Sequence, residues 1–410
     1  MTSYGLPGHQ ARNSHPPFPD KMRVAIYAGM FIQDFDGATK TLFELIRSLR
    51  QRRAEVAVWS FSSRPTALPG VPVSRVPAIS LPFYPDYKFA LPGPSLFRQI
   101  RKFKPDLIHL TVPDSVGLGL AGLAKVKRIP LLMSYHTDFI SYLDERNLWY
   151  LSRTWWPILR WYYNRADSLL VPSRDSGSKL ARHGIQAASV WTRGLPVGRF
   201  SPSFRSESLR RSWGADGRKV ILFSGRFAWF KGLQVFVQVY DLFKKEKSPA
   251  PVFVLLGRGP LEEDLKKRMP DAVFPGYLAG DDLSTAYASA DILLFPSTTE
   301  TFGNVIQEAI ASGLPAVVSD EGGCQEIINQ TGGGLVAQAR KSISFYQMCH
   351  RLLTDETLYQ RIRNAGLLNI KGRDWETVNR VVLEEYTRLV SSPPRWKAAP
   401  ADSASFSRLS

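Results

Sequence analysis

Two carboxylates, Glu300 and Glu308, bracket the point where an apolar run gives way to a helical pattern: Phe295-Pro-Ser-Thr-Thr-Glu300-Thr-Phe-Gly-Asn-Val-Ile-Gln-Glu308. The pattern predicts a helix starting near Gly303. Backbone N–H groups of Phe302, Gly303, Asn304 and Val305 then lie at a helix start, where free donors and the helix dipole favour an anion. With a diphosphate there, Glu300 precedes the helix and Glu308 lies about a turn and a half inside it. One carboxylate can accept from hydroxyls of a donor sugar and the other from ribose hydroxyls. The plainer alternative is a capping Glu300 and a solvated Glu308, and the pair alone does not choose between them.

A second segment, Ser224-Gly225-Arg226-Phe-Ala-Trp-Phe-Lys231-Gly232, also follows an apolar run and opens a helix. Arg226 offers a planar fork of donors and Lys231 a point charge, and both can reach one diphosphate. Together they can neutralise the charge that builds on a leaving phosphate, work that Mg²⁺ does elsewhere. By themselves they also read as two surface cations beside a turn.

The N-terminal half contributes two further candidates. Asp36-Gly37-Ala38 leads from a strand into a helix, and Gly37 lets the backbone come close to a ligand, or simply makes the turn. Ser134-Tyr-His136-Thr-Asp138 ends an apolar run. His136 can meet a sugar near its anomeric centre with Asp138 orienting the ring, or it can be structural. His109 also ends an apolar run and reads as core.

The elements that must carry these residues alternate. Apolar runs at 23–28, 55–60, 106–110 and 130–134 are followed in the second half by 220–224, 252–256, 292–295 and 316–319. Helical patterns lie between them, at 38–52 with Leu42, Leu45, Ile46 and Leu49 on one face, and at about 232–245, 260–268 and 303–312. Continuously apolar strands alternating with helices predict parallel sheets covered on both faces. The fold class is therefore α/β: two Rossmann-like, doubly wound domains facing each other across a cleft. The expected organisation is a disordered leader at 1–20, a domain at 21–195, a second at 196–375, a helix at 376–392 and a disordered tail at 393–410. The Pro- and Gly-rich stretch Gly194–Pro202 reads as the interdomain linker.

The chain has 410 residues, 44% of them apolar, and a net charge of +17. A phosphorylated substrate needs only two or three positive groups. The excess points to an anionic membrane surface rather than nucleic acid, for which no zinc-ligand spacing or RNA-binding signature is found. Two cysteines do not make a disulfide framework. Residues 1–20 hold no apolar run and do not read as a signal peptide, and no run is long enough to span a membrane. The expectation is a cytoplasmic protein, peripheral on the membrane.

Taken together, the segments at 224–232 and 295–315 resemble the retaining glycosyltransferases of two Rossmann-like domains, the GT-B architecture, and the resemblance runs from Arg23 to about Leu389. Val254-Leu-Leu-Gly257-Arg258-Gly259-Pro260 is similar to that family's Gly-x-Gly-Pro turn, and Phe274-Pro-Gly276-Tyr277 to its turn near the nucleotide base. Tyr287-Ala-Ser-Ala-Asp291 is similar to another part of its donor site. The resemblance implies a nucleotide-sugar donor spanned by Glu300 and Glu308, phosphates held by Arg226 and Lys231, and a sugar facing His136. It also implies front-side retention without metal or cofactor, in which the leaving phosphate helps deprotonate the acceptor. Two departures stand out. The family's Gly-Val-Asp linker triplet is Gly194-Leu-Pro196 in this chain, and Arg258 stands where an Asp is common.

For the acceptor, Leu81–Pro94 and Ser134–Asp138 resemble lipid-directed members, the GDP-mannose-dependent α-mannosyltransferases and the sulfoquinovosyl-diacylglycerol synthases. The form of residues 300–305 is closer to the mannosyltransferases. The expected reaction is transfer of a hexosyl group from GDP-mannose or a UDP-sugar to a lipid or glycan acceptor. Residues 146–165, rich in Trp, Tyr and Arg, read either as a membrane-facing helix or as a helix whose aromatics are core. The competing readings are a transferase for a soluble or polysaccharide acceptor, a UDP-N-acetylglucosamine 2-epimerase-like enzyme, and a non-catalytic sugar-nucleotide binder.

Overall fold

The computed structural model describes residues 18–33, 36–81, 84–138, 140, 149–246 and 250–391. The leader to residue 17 and the tail from residue 392 lie outside the described residues. Fifteen strands are present among them: β1 (Arg23–Gly29), β2 (Glu55–Ser60), β3 (Val73–Arg75), β4 (Ala78–Leu81), β5 (Tyr84–Ala90), β6 (Leu107–Leu110), β7 (Leu131–Ser134), β8 (Ser168–Val171) and β9 (Ser189–Val190) in the first half. The second half holds β10 (Val220–Ser224), β11 (Val252–Leu256), β12 (Val273–Gly276), β13 (Ile292–Phe295), β14 (Ala316–Ser319) and β15 (Gly334–Ala337).

The first sheet runs β3-β2-β1-β6-β7-β8-β9 and the second β12-β11-β10-β13-β14-β15, every pair parallel. β4 and β5 form a separate antiparallel hairpin. Strands such as β6, β7, β10 and β13 are buried throughout, because helices cover both faces. Strand order reverses between β1 and β6 and again between β10 and β13. These are the switch points at whose carboxyl ends open α/β sheets bind ligands.

The helix Trp375–Ser391 does not stay with the second domain. Its Val378, Val382, Leu383, Tyr386 and Leu389 share a core with Val24, Ile26, Leu42 and Leu45 of the first. Each such buried side chain contributes on the order of 1.5–3 kcal/mol, which fastens the chain's end to the domain where it began. The linker packs beside this return crossing. The Leu195 N–H donates to the Arg373 carbonyl at 2.7 Å, and a Cβ on Gly194 would lie 2.7 Å from the Trp375 Cα. Only glycine permits that approach.

The helix Trp149–Tyr163 contains Pro157 and divides the two readings between its faces. Leu159, Tyr162 and Tyr163 are core, whereas Trp155, Ile158 and Trp161 are exposed. Residues 146–148 of that expected segment lie outside the described residues.

Candidate functional site at the domain cleft

The loops that follow β10, β11 and β12 are stitched together by backbone. Gly225 N–H donates to Leu256 O at 2.9 Å, Phe227 N–H to Arg258 O at 2.9 Å, and Gly257 N–H to Gly276 O at 2.8 Å. A Cβ on Gly257 would stand 2.0 Å from the Gly225 carbonyl oxygen, and one on Gly259 2.5 Å from that of Phe227. The Gly-x-Gly turn is thus a seat for the Arg226 loop. Arg226 and Tyr277 are both exposed, on neighbouring loops.

The loops after β10 and β13 are pinned in the same way, since these two strands pair at the switch point. Ser297 Oγ and Thr299 Oγ1 each donate to the Phe230 carbonyl at 3.1 Å. Gly232 leaves room for the Pro296 carbonyl, which a Cβ would meet at 2.3 Å. The consequence is direct contact between the Lys231 ammonium and the Glu300 carboxylate, both largely shielded from solvent.

The helix near Gly303 spans Asn304–Ala311. Its first turn has no side-chain cap, and Gly303 takes a left-handed φ of 97° with Cys324 Sγ 2.6 Å from where a Cβ would stand. Phe302 is buried in the core of the second domain. Across the cleft, the helix Gly37–Gln51 starts at Asp36, whose carboxylate accepts from Thr39 N–H at 2.7 Å. The two helix starts meet. A Cβ on Gly37 would lie 2.5 Å from Asn304 Nδ2, and Asn304 Oδ1 is buried with no partner among the described residues.

Glu308 points into the protein. Tyr287 donates to it at 3.2 Å and Lys40, from the opposite domain, at 3.5 Å. Burial and the Glu308 charge push the Tyr287 phenol far above its usual range.

His136 is also buried, with both ring nitrogens engaged. Arg193 donates to Nδ1 at 2.9 Å and Ser134 Oγ lies 2.7 Å from Nε2. Ser134 in turn meets His109 Nε2 at 2.7 Å, and His109 Nδ1 meets the Tyr386 hydroxyl at 2.7 Å. A guanidinium only donates, so Nδ1 of His136 accepts and its proton sits on Nε2. Burial holds both imidazoles neutral, His109 at about 3 and His136 well below the usual range, with the Arg193 charge as a second cause for His136. One sequence expectation is corrected. Asp138 does not orient His136; its carboxylate is paired with Lys179 at 2.5 Å. The face His136 turns to the second domain is its backbone carbonyl, which accepts from Thr301 Oγ1 at 3.0 Å.

A cavity of about 610 Å³ opens between the domains beside Glu300, lined also by Asp138, Asp175, Lys179, Arg182 and Arg340. Among the described residues no group of three or more His, Cys, Asp and Glu is placed to hold a metal ion, and no helix is long and apolar enough to cross a membrane. Sequence reasoning missed Lys40 and Arg193. Lys40 stands one helical turn past Gly37, a spacing that could have flagged it. Nothing local marks Arg193.

Residues 35–199 match the family model described as Glycosyltransferase Family 4, and residues 218–355 the one described as Glycosyl transferases group 1. The chain is 30% identical over 380 residues, 91% of each chain, to a GDP-mannose-dependent alpha-mannosyltransferase of Corynebacterium glutamicum. It is 36% identical over 323 residues to a sulfoquinovosyl transferase of Arabidopsis thaliana, which covers 76% of this chain and 62% of that protein. Among solved structures, sucrose-phosphate synthase from Thermosynechococcus elongatus is similar with a TM-score of 0.72 at 19% identity, over 90% of this chain and 99% of that one. At that identity the likeness speaks for the fold.

Proposed function

The chain belongs to the GT-B glycosyltransferases, and on that premise we propose that it transfers a hexosyl group from GDP-mannose, or else a UDP-sugar, to a lipid acceptor with retention of configuration and without a metal ion. The observation that carries this reading is the contact of Lys231 with Glu300 beside an uncapped helix start at the β10/β13 switch point. A diphosphate at that helix start draws on the amides of Asn304 and Val305 and on the charges of Lys231 and Arg226. Binding moves Lys231 from carboxylate to phosphate and leaves Glu300 to accept from sugar hydroxyls.

Neither glutamate serves as a nucleophile on this reading: Glu308 is held by Tyr287 and Lys40, and Glu300, once Lys231 turns to the phosphate, accepts from the sugar hydroxyls. This supports a front-side route. The bond from C1 to the phosphate oxygen breaks as the acceptor oxygen bonds to C1 on the same face, and the acceptor proton passes to the leaving phosphate. A lipid acceptor is favoured by the similarity to an alpha-monoglucosyldiacylglycerol synthase of Streptococcus pneumoniae, 25% identical over 314 residues, 72% of this chain and 70% of that one. The net charge of +17 suits work at an anionic membrane surface.

The test is a melting-temperature screen with GDP-, UDP- and ADP-sugars with and without EDTA, followed by product analysis. One nucleotide class raises the melting temperature, chelation changes nothing, Lys231→Ala abolishes the shift, and label enters a lipid-extractable product with the donor's anomeric configuration. An inverted product, or no shift with any donor, overturns the reading.

A further inference from the structure

A second cavity, of about 830 Å³, lies on the first domain. Arg153, Arg160, Arg165 and Arg182 line it together with Trp156 and His183, and none of its lining residues is acidic. Its walls are ordered by packing: the His183 ring stacks on Trp156 at 3.6 Å and 5°, Asn164 Nδ2 donates to Gly184 O at 3.1 Å, and the Arg165 guanidinium lies 3.3 Å above the Trp161 ring. Burial, then the charges of Lys179 and Arg182, lower the His183 pKa, so the groove's positive charge rests on its arginines.

Two placements say what such a groove meets. First, the exposed face of the Trp149–Tyr163 helix stands beside it, with Trp155, Ile158 and Trp161 exposed by 43%, 52% and 48%. Amphipathic aromatics next to arginines suit the boundary between headgroups and acyl chains. Second, Arg182 lines both this groove and the interdomain cavity that holds Glu300. Arg182 ends the Arg174–Arg182 helix and borders both spaces.

We propose that this groove seats a headgroup phosphate of an anionic phospholipid bilayer and so holds the membrane where a lipid acceptor reaches the cleft past Arg182. The inference rests on the lipid-acceptor reading for its purpose, not for its geometry. The arginines fork onto the phosphate, while Trp155 and Ile158 enter the interface beside it.

The full chain is tested by co-sedimentation with vesicles of phosphatidylglycerol and phosphatidylcholine in equal parts, and with phosphatidylcholine alone, at about 50 mM and about 500 mM salt. The expected result is binding to the anionic vesicles that weakens in high salt, and little binding to the neutral ones. Arg153→Glu/Arg165→Glu lowers the binding by about tenfold or more, and Trp155→Ser/Ile158→Ser lowers it at both salt concentrations. Both variants melt and respond to GDP-mannose as the parent does. Undiminished binding by folded variants, equal binding to neutral vesicles, or tighter binding to a single-stranded oligonucleotide overturns the proposal. A chain that binds vesicles through these residues but shows no donor response sinks the transferase reading and leaves the groove standing; the converse result sinks the groove alone.

Discussion

The Arg193 guanidinium donates to Nδ1 of His136 at 2.9 Å, and both side chains are buried. No carboxylate forms an ion pair with Arg193 among the described residues; it also donates to the Trp191 carbonyl at 3.1 Å, and Asp36 is the nearby charge that favours its protonation. Burial lowers it to about 10, so it remains charged at neutral pH. A buried cation without a paired anion costs stability. It lies on the first domain's side of the cleft, where its own carbonyl accepts from Gln307 on the Asn304–Ala311 helix at 3.0 Å, and a donor diphosphate bound in that cleft would supply the missing anion.

Arg193→Met is therefore expected to leave the melting temperature unchanged or raise it, while the shift caused by GDP-mannose falls and kcat/KM drops by roughly 10²-fold. Arg193→Lys restores part of the donor response. A variant that loses stability and keeps its donor response would show that the guanidinium serves packing alone.

Gly37→Ala probes the meeting of the two helix starts. In isolation the change favours a helix by up to about 1 kcal/mol. The new Cβ, however, meets Asn304 Nδ2 at 2.5 Å, so the domains are held apart. The expected outcome is an equal or higher melting temperature with kcat/KM lowered at least about tenfold. The double variant Gly37→Ala/Asn304→Ala recovers part of that loss, and a double-mutant cycle measures the coupling. Additive losses in the cycle would mean that the two residues do not meet during turnover.

What was legible in the sequence follows from how local each feature is. The helix at Asn304 and the Lys231 loop are strand–turn–helix units read within a few adjacent residues, and they fall within one or two positions of expectation. β8 was missed because the three apolar residues of Ser168-Leu-Leu-Val171, between two helices, carry little periodicity. The helix at 376–392 was expected, but its partner was not, since Val24, Ile26, Leu42 and Leu45 of its core lie more than three hundred residues earlier. Asp138 shows the same limit. Its nearness in sequence to His136 suggested a pair, whereas the Arg174–Arg182 helix brings Lys179 to it instead. Arg193 matters through burial and through a partner 57 residues away, and no local pattern encodes that.

The neutral histidines make stability depend on pH. A histidine whose folded pKa is depressed binds its proton more readily in the unfolded chain, so stability is full above about 6.5 and falls as pH drops toward the folded value. For His109 that window runs from 6.5 to about 3, and His136 shares its upper part. Each histidine costs up to about 1.4 kcal/mol per pH unit within the window. Asp114, raised to about 6 by burial, acts in the opposite sense, because the cost of its buried charge is relieved by protonation. Comparing His109→Gln with the parent between pH 7.5 and pH 5 cancels that contribution. The expected result is a smaller acid-induced loss of melting temperature in the variant; parallel curves would show that His109 is protonated in the folded protein.

The contact between Lys231 and Glu300 separates binding of phosphate from reading of sugar. Lys231→Ala removes a cation from the diphosphate and is expected to weaken GDP and GDP-mannose alike, with transfer falling by roughly 10²–10³-fold. Glu300→Gln keeps the shape but releases the ammonium from its carboxylate, so GDP binds as tightly as to the parent or more tightly. GDP-mannose loses the advantage it holds over GDP, since an amide accepts sugar hydroxyls less strongly than a carboxylate does, and transfer falls by roughly 10²-fold. Calorimetry with GDP and with GDP-mannose on both variants distinguishes the two roles. If Glu300→Gln weakened GDP as much as Lys231→Ala, the carboxylate would be acting only as a holder for the lysine, and sugar recognition would have to come from another residue of the cleft.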